Sequence, residues 1–114
     1  MAFGKIKQTR FNVEAFYHTV TKVNIDLSIV PDPILDENNQ IIGYKGGSKS
    51  FVTLASYKDK DSYLSKSFSL SQKTYEFDFV TTTAVVNSTE KTCKEAAYDL
   101  IKTVDDFWID AEIV

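Results

Sequence analysis

The stretch CKEAAYDLIKTVDDFW, residues 93–108, decides the fold, because here the apolar residues take on the period of an α-helix. They recur three and four positions apart, at Cys93, Ala96, Ala97, Leu100, Ile101, Val104, Phe107 and Trp108. This spacing places apolar side chains along one helical face. We predict an amphipathic helix of about 18 residues, roughly 27 Å long, that begins between residues 88 and 93. Such a helix must cover a sheet, since it cannot bury its stripe alone.

Upstream segments supply the sheet. Three of them alternate apolar and polar residues, or are rich in β-branched and aromatic residues, as strands are. They are KVNIDLSIV at 22–30, SFVTLASYK at 50–58 and KTYEFDFVTT at 73–82. Weaker strand patterns occupy residues 12–20 and 63–70. The chain therefore contains three well-marked strands and up to three marginal ones.

A hairpin is predicted between the first two of these strands. Pro31 and Pro33 are expected to stop the preceding strand, because proline cannot donate a backbone hydrogen bond. ILDENNQIIGYKGG, residues 34–47, then places two short apolar pieces around a tip rich in turn-forming residues. Asp36, Asn38 and Gln40 in this tip alternate as calcium ligands do, but the glycine and the closing glutamate of a calcium loop are not at the required positions. A hairpin tip is the better interpretation.

The predicted fold class is α+β: a mostly antiparallel β-sheet of about four to six strands, covered by one C-terminal amphipathic helix. Residues 1–114 form a single domain, in which residues 1–10 are a loosely held arm or a first edge strand and residues 109–114 are a tail. A two-sheet sandwich with a peripheral helix is the alternative. Its second apolar layer would come from Phe16, Phe51 and Phe68.

Composition narrows the classes of function. The chain has 114 residues, 43% of them hydrophobic and 25% charged, as expected of one globular domain. Its formal net charge is −3 and its basic residues are scattered, which disfavours nucleic-acid binding. No apolar run reaches the length that crosses a membrane, so we expect no membrane partner. A lone cysteine fits folding in a reducing cytoplasm.

Catalytic chemistry has few candidates in this sequence. His18 is the only histidine and Cys93 the only cysteine, so a nucleophilic pair could form only between these two. Cys93 begins the helical stripe and fits better as a small apolar residue. GYKGGSKS, residues 43–50, lacks the spacing of a phosphate-binding loop. We predict no catalytic residue, no metal site and no cofactor, and therefore a protein that is not an enzyme.

The end of the predicted helix is unusual, because three aspartates crowd a helix C-terminus, where the helix dipole favours cations. One interpretation is a solvated, frayed end. The other is an acidic rim around Trp108 that binds a basic or apolar partner surface. The candidate partner-binding residues are Asp105, Asp106, Trp108, Asp110, Ile113 and Val114.

The same terminal stretch resembles the end of small β-rich proteins of tailed bacteriophages, which are encoded among virion structural genes. The matching residues are Ala97, Tyr98, Ile101, Lys102, Thr103, Phe107, Ala111 and, less well in register, Ile113 or Val114. Trp108 and Ile109 depart from the small or polar residues expected there. Phe16-Tyr17-His18 and the segment SYKDKDSYLSKSFSLSQKTYEFDF, residues 56–79, also look like that group.

The resemblance implies a non-enzymatic virion structural or accessory protein of the tail, baseplate or neck. Its partners would be other virion proteins and copies of itself, as a homo-oligomer or ring component, and it would be made in the host cytoplasm and located in the virion. The residues leave an alternative open, which is a small acidic phage-encoded inhibitor that binds a host protein. Under the first hypothesis we predict that Trp108→Ala harms the fold or assembly more than Asp61→Ala, because an aromatic side chain buries more surface.

Overall fold

A computed structural model describes residues 1–9, 13–88 and 93–114. Within these residues the chain forms seven strands, three α-helices and one 3₁₀ turn. The strands are β1 (Phe3–Gln8), β2 (Glu14–Asn24), β3 (Asp32–Leu35), β4 (Ile41–Lys45), β5 (Ser50–Tyr57), β6 (Ser71–Phe77) and β7 (Glu112–Ile113). The helices are α1 (Lys60–Leu64), α2 (Phe79–Ser88) and α3 (Cys93–Val104), and the 3₁₀ turn is Asp106–Trp108.

Five strands form one antiparallel sheet in the order β6-β5-β2-β1-β7. β3 and β4 form a separate two-stranded sheet, inserted between β2 and β5. In the chain, the β3–β4 hairpin follows the end of β2 and precedes β5, beyond the last β2–β5 pair, Asn24 with Phe51. The predicted α+β class is confirmed, with the C-terminal helix α3 packed against β2.

One hydrophobic core lies between the sheet and the C-terminal segment. α3 contributes Ala97, Tyr98, Leu100 and Ile101, the sheet contributes Phe3, Val20, Val52, Leu54, Tyr75 and Phe77, and the 3₁₀ turn contributes Trp108. The opposite face of the sheet is covered at one end by α1, whose Tyr63 ring lies 5.3 Å from that of Tyr17 and 5.2 Å from that of Tyr57. The apolar stripe of α3 is therefore buried from Ala96 to Ile101, as its spacing predicts, whereas Val104 at the end of the helix is exposed.

Two helices were not predicted. The strand predicted at 73–82 ends at Phe77, because the next residue starts a helix: Asp78 Oδ1 accepts a hydrogen bond from the Thr81 N–H at 2.7 Å, as an N-cap does. α1 occupies part of the segment read as a weak strand at 63–70, and Asp59 caps it by accepting from the Ser62 N–H at 2.8 Å. α3 itself is shorter than predicted and ends at Val104.

The strand predicted at 22–30 is also displaced. β2 begins at Glu14 and ends at Asn24, so it includes most of the weaker pattern at 12–20. It ends there because the Asp26 N–H turns to the Ser50 hydroxyl, and Asp26 Oδ1 accepts from the Ser28 N–H at 2.9 Å. Pro33 does not stop a strand. It lies within β3, opposite Tyr44, in a two-stranded ribbon where a missing N–H is tolerated.

The N-terminal residues are strand rather than arm. β1 pairs with β2 along most of its length, and Phe3 is fully buried. Residue 10, the last of the predicted arm, lies outside the described residues. The second layer of the sandwich alternative is not formed: Phe16 and Phe51 are exposed, and Phe68 is 99% exposed.

The molecule is elongated. Its radius of gyration is 16.6 Å and its principal extents are 55 × 27 × 22 Å. A compact chain of this length has a radius of gyration of about 13 Å. The excess reflects the protruding hairpin, residues 32–45, which extends beyond the main sheet.

Candidate interaction surfaces

Trp108, proposed from the sequence as the centre of a partner-binding rim, is fully buried. Its indole stacks on Phe3 with ring centroids 5.1 Å apart, and it meets His18 and Phe107 edge-on at 4.6 and 4.7 Å. The indole Nε1–H donates to the Tyr75 hydroxyl at 3.1 Å. Trp108 is therefore a core residue, and the indole is not part of the surface that a partner meets.

Asp105, Tyr75 and Trp108 form a chain of hydrogen bonds, which we call the relay. The Tyr75 hydroxyl donates to Asp105 Oδ2 at 2.7 Å, and the Phe107 N–H donates to Oδ1 at 3.2 Å. Partial burial by itself would raise the pKa of the Asp105 carboxyl. These two bonds, together with nearby Lys73, outweigh burial and lower the pKa. The carboxylate caps the 3₁₀ turn and fixes Trp108, so it has a role within the fold.

This relay predicts the effect of removing one hydroxyl. Tyr75→Phe should lower the free energy of unfolding by about 1–3 kcal/mol, because the buried indole N–H and the Asp105 carboxylate both lose a partner. Urea denaturation followed by tryptophan fluorescence measures it. Tyr57→Phe is the matched control, since the hydrogen bonds of the relay do not involve Tyr57. Equal midpoints for the two variants would refute the relay.

The other candidate residues lie around the end of the chain. Asp110 pairs with Lys5 at 2.6 Å, and the same ammonium donates to the Phe107 carbonyl at 2.7 Å. Asp106 is exposed. Ile113 belongs to β7, which pairs with β1, and Val114 exchanges two backbone hydrogen bonds with Ala2 at 2.9 and 3.0 Å.

The expected C-terminal tail is therefore a strand tied to the N-terminus. Asp106, Asp110, Ile113 and Val114 remain exposed at this edge, beside the exposed Ile109. Of the six candidate residues, Trp108 and Asp105 serve the core and Asp110 is paired with Lys5. Asp106, Ile113 and Val114 stay available to a partner.

His18 is buried and fully hydrogen-bonded. Its Nε2 lies 2.7 Å from the Lys5 carbonyl and its Nδ1 lies 2.7 Å from the Ser56 hydroxyl. Because a carbonyl can only accept, Nε2 carries the proton and the Ser56 hydroxyl donates to Nδ1. Burial lowers the pKa of the imidazole, against an opposing effect of the Lys5 carbonyl. The Cys93 side chain lies outside the described part of the structure, so the possible pair with His18 is not placed.

Burial of neutral His18 predicts a dependence of stability on pH. The unfolded chain binds a proton near pH 6.5, whereas the native imidazole binds it only at lower pH. Stability from this group is complete above pH 6.5 and falls as the pH drops toward the lowered native pKa, since the unfolded state then binds more protons. Denaturation midpoints between pH 7.5 and about 5 measure the slope.

A His18→Gln variant provides the control, because glutamine does not titrate. Its midpoint should be lower than that of the parent at pH 7.5 and nearly constant down to about pH 5, above the range in which carboxylates titrate. The same slope in both proteins would show that His18 is not its source.

The hairpin of β3 and β4 carries a group of exposed apolar side chains. All side chains of β3 and β4 are exposed except at Gly43. The apolar ones are Ile34, Leu35, Ile41, Ile42 and Tyr44. Isolated apolar side chains on a surface are common, but a contiguous group of this kind is typical of an interaction site.

Both ends of the hairpin are ordered by hydrogen bonds. At the tip, Asp36 Oδ1 accepts from the N–H groups of Asn38 and Gln40, each at 2.8 Å, which confirms the predicted turn. At the base, the Ser48 N–H donates to the Ile29 carbonyl at 2.9 Å, and the Ile29 N–H donates to the Ser48 hydroxyl at 2.8 Å. The segment GYKGGSKS is thus the end of β4 and a fixed connection, and not a free loop.

A groove lies between the base of the hairpin and α2. Two adjoining cavities, of about 260 and 320 Å³, share Pro31, Tyr44, Phe79 and Val80 as lining residues. Asp78 lines one of them, and Thr83 and Ala84 line the other. We call this feature the α2 groove. α2 itself carries no charged residue, and its Val80 is 43% exposed.

The turn-forming tip of ILDENNQIIGY predicts the hairpin, but the candidate partner-binding residues named from the sequence do not include it. Ile34 and Leu35 are consecutive on β3 and both are exposed, so they point to opposite faces of the ribbon. A short hairpin that is apolar on both faces was the available signal.

The function proposed below rests on the geometry of the structure, because comparisons with known proteins found no match. No family model, curated protein or solved structure matches the chain. Among the described residues, no three histidine, cysteine, aspartate or glutamate side chains gather into a group that could hold a metal ion. None of the helices in the described part of the chain has the length and apolar character needed to span a bilayer.

Proposed function

We propose that this protein is a non-enzymatic structural or accessory component of a tailed-phage virion, in the tail, baseplate or neck. It acts through protein–protein contacts, with other virion proteins and with copies of itself. The observation that carries the proposal is the protruding hairpin. It is apolar on both faces and, within the described residues, packs on no other strand or helix to any large extent.

The energetics of the hairpin favour a binding role. A two-stranded ribbon is at best marginally stable in water unless it packs against something else. This hairpin keeps Ile34, Ile41 and Ile42 in solvent, where each loses the free energy that burial would give. A partner that covers the hairpin would recover that free energy and order it further. Elongated shapes with exposed apolar extensions suit proteins that function by assembly.

The phage resemblance contributes the class of particle. Its matching residues Ala97, Tyr98 and Ile101 are buried in the core. The Tyr98 hydroxyl accepts from the Val20 N–H at 2.9 Å and donates to the Met1 carbonyl at 2.8 Å, so it ties α3 to β2 and the N-terminus. The motif thus describes how this fold is closed, while the hairpin is the surface available for assembly.

An inhibitor that mimics an acidic ligand would need free carboxylates. Asp105 is engaged by Tyr75, and Asp110 is engaged by Lys5. Two of the three clustered aspartates are therefore committed within the chain. This arrangement favours assembly over acidic mimicry.

Affinity capture from phage-infected cells tests the proposal. Tagged wild-type protein should retain tail, baseplate or neck proteins of the phage. Ile42→Asp, at a site that is 66% exposed, should lose them, because it puts a charge on the contact surface without touching the core. Val104→Asp, at an exposed site on α3, is the control. Recovery of a host nuclease or defence factor, unaffected by Ile42→Asp, would refute the proposal and favour inhibition.

A further inference from the structure

Phe68 is the most exposed large apolar side chain among the described residues, at 99%. Its loop is not loose. The Ser67 N–H donates to the Ser62 carbonyl at 3.1 Å, and the Lys66 N–H donates to the Tyr63 carbonyl at 3.1 Å. Lys66 takes a left-handed conformation, with φ of 60°, to make this turn. The backbone therefore holds the phenyl ring out into solvent from an ordered position.

Phe68 and the α2 groove lie at opposite ends of the β5–β6 ladder. The ladder begins where Ser71 pairs with Ser56 and ends where Phe77 pairs with Ser50. Six residue steps of a strand span about 20 Å. Phe68 lies just before the first pair, and Phe79 of the groove follows just after the last. The ring cannot enter the groove of its own chain.

The two ends are complementary in shape and polarity. The groove offers apolar walls from Phe79, Val80 and Tyr44, and its cavities are of a size that admits an aromatic side chain. A buried aromatic side chain removes about 150–250 Å² from water. The Phe68 ring occupies no cavity, and none of the described residues fills the apolar groove.

Their charges are also opposite. Among the described residues, Asp78 is the one charged residue that lines the groove. At the base of the hairpin Asp32 pairs in register with Lys45, so their charges offset each other. Lys66 lies two residues before Phe68. A lysine beside the ring is thus matched by an aspartate in the groove, which favours contact between different copies in one orientation.

We infer that Phe68 of one copy inserts into the α2 groove of a second copy of this chain. The inference rests on the proposed function, for which it names the partner of the hairpin base. Because the two surfaces differ and lie at opposite ends of one sheet, the contact is heterologous. Repeated, it closes into a ring if the rotation between copies permits, and otherwise extends as a filament.

Sedimentation velocity over a range of protein concentrations tests the contact. The wild-type protein should self-associate, and Phe68→Ser should weaken the association by about 10-fold or more, as expected for an aromatic anchor. Val104→Ser, which also removes an exposed apolar side chain, should change it little. Circular dichroism confirms that both variants are folded. A monomeric wild-type protein, or equal association of Phe68→Ser and wild type, would overturn the inference.

Mixing two variants tests the head-to-tail arrangement. Phe68→Asp removes the aromatic ring. Val80→Asp blocks the groove, and the negative charge that it adds lies in the first turn of α2, where the helix dipole tolerates it. Each variant alone should be monomeric. Their mixture should form a one-to-one dimer and nothing larger, because the Val80→Asp variant keeps Phe68 and the Phe68→Asp variant keeps the groove. A mixture that stays monomeric would overturn the inference.

These outcomes separate the inference from the proposed function. If the self-association fails but tagged protein still captures virion components, the assembly role stands and its partner is another protein. If the protein neither self-associates nor captures virion components, both the inferred contact between copies and the proposed assembly role are wrong.

Discussion

Replacing Trp108 with alanine is expected to lower the free energy of unfolding by about 3–5 kcal/mol, the loss typical of a buried aromatic residue. The indole is fully buried between Phe3 and His18, and its N–H is bonded to Tyr75. Since small domains are stable by only about 5–15 kcal/mol, this loss is a large part of the total stability. Urea denaturation followed by circular dichroism measures the change.

Ile109→Ala is the matched control for Trp108→Ala. Ile109 is the next residue and is 59% exposed, so its truncation leaves no cavity. We expect a change within about 0.5 kcal/mol. If Trp108→Ala were as stable as Ile109→Ala, Trp108 would not be a core residue. The result would then favour the other interpretation, in which Trp108 binds a partner at the surface.

Phe3→Ala should have an effect of similar size, about 3–5 kcal/mol. Phe3 stacks on Trp108 and meets Tyr98 edge-on, with ring centroids 5.1 and 4.9 Å apart. β1, which carries it, bonds to β2 on one side and to β7 on the other. Denaturation of the purified variant measures the loss, and truncation of residues 1–5 should abolish cooperative unfolding for the same reason.

Ile6→Ala provides the comparison within the same strand, because Ile6 is largely exposed. It should change the free energy of unfolding by less than about 1 kcal/mol. Equal and small losses for Phe3→Ala and Ile6→Ala would mean that the N-terminus is an arm, as one of the alternatives drawn from the sequence had it.

The parts of the fold that the sequence predicts are those with a regular apolar period. The stripe from Ala96 to Ile101 lies on one buried face, so its spacing alone identifies α3. β5 is predicted almost to the residue, because its segment is rich in β-branched and aromatic residues. The predicted hairpin is also confirmed, because Asp36 and Asn39 form the turn that its composition indicates.

The errors arise where a contact distant in sequence decides the structure. Leu27 and Ile29 continue the alternation of β2, yet they are exposed, because the chain leaves the main sheet at Asp26 to form the hairpin. Phe77 and Phe79 look equivalent, but Asp78 between them caps α2. A local pattern cannot distinguish a strand that continues from one that ends at a cap.

The candidate site illustrates the same limit. Clustered aspartates beside a tryptophan suggested a surface, but their partners Tyr75 and Lys5 are 30 and 105 residues away from Asp105 and Asp110. Only the fold reveals that two of these charges are used internally. The exposure of the hairpin is likewise decided by the fold, because apolar residues such as Ile41 and Ile42 are as typical of a buried strand as of an exposed one.

Mass spectrometry of density-gradient-purified particles, from a tailed phage that carries this gene, tests the central claim most directly. We expect the chain in the particle band, in several copies per particle, and enriched in isolated tails relative to emptied capsids. It should be missing from particles made with the Ile42→Asp variant. A chain that is absent from purified particles and stays in the soluble fraction of the infected cell would contradict the account.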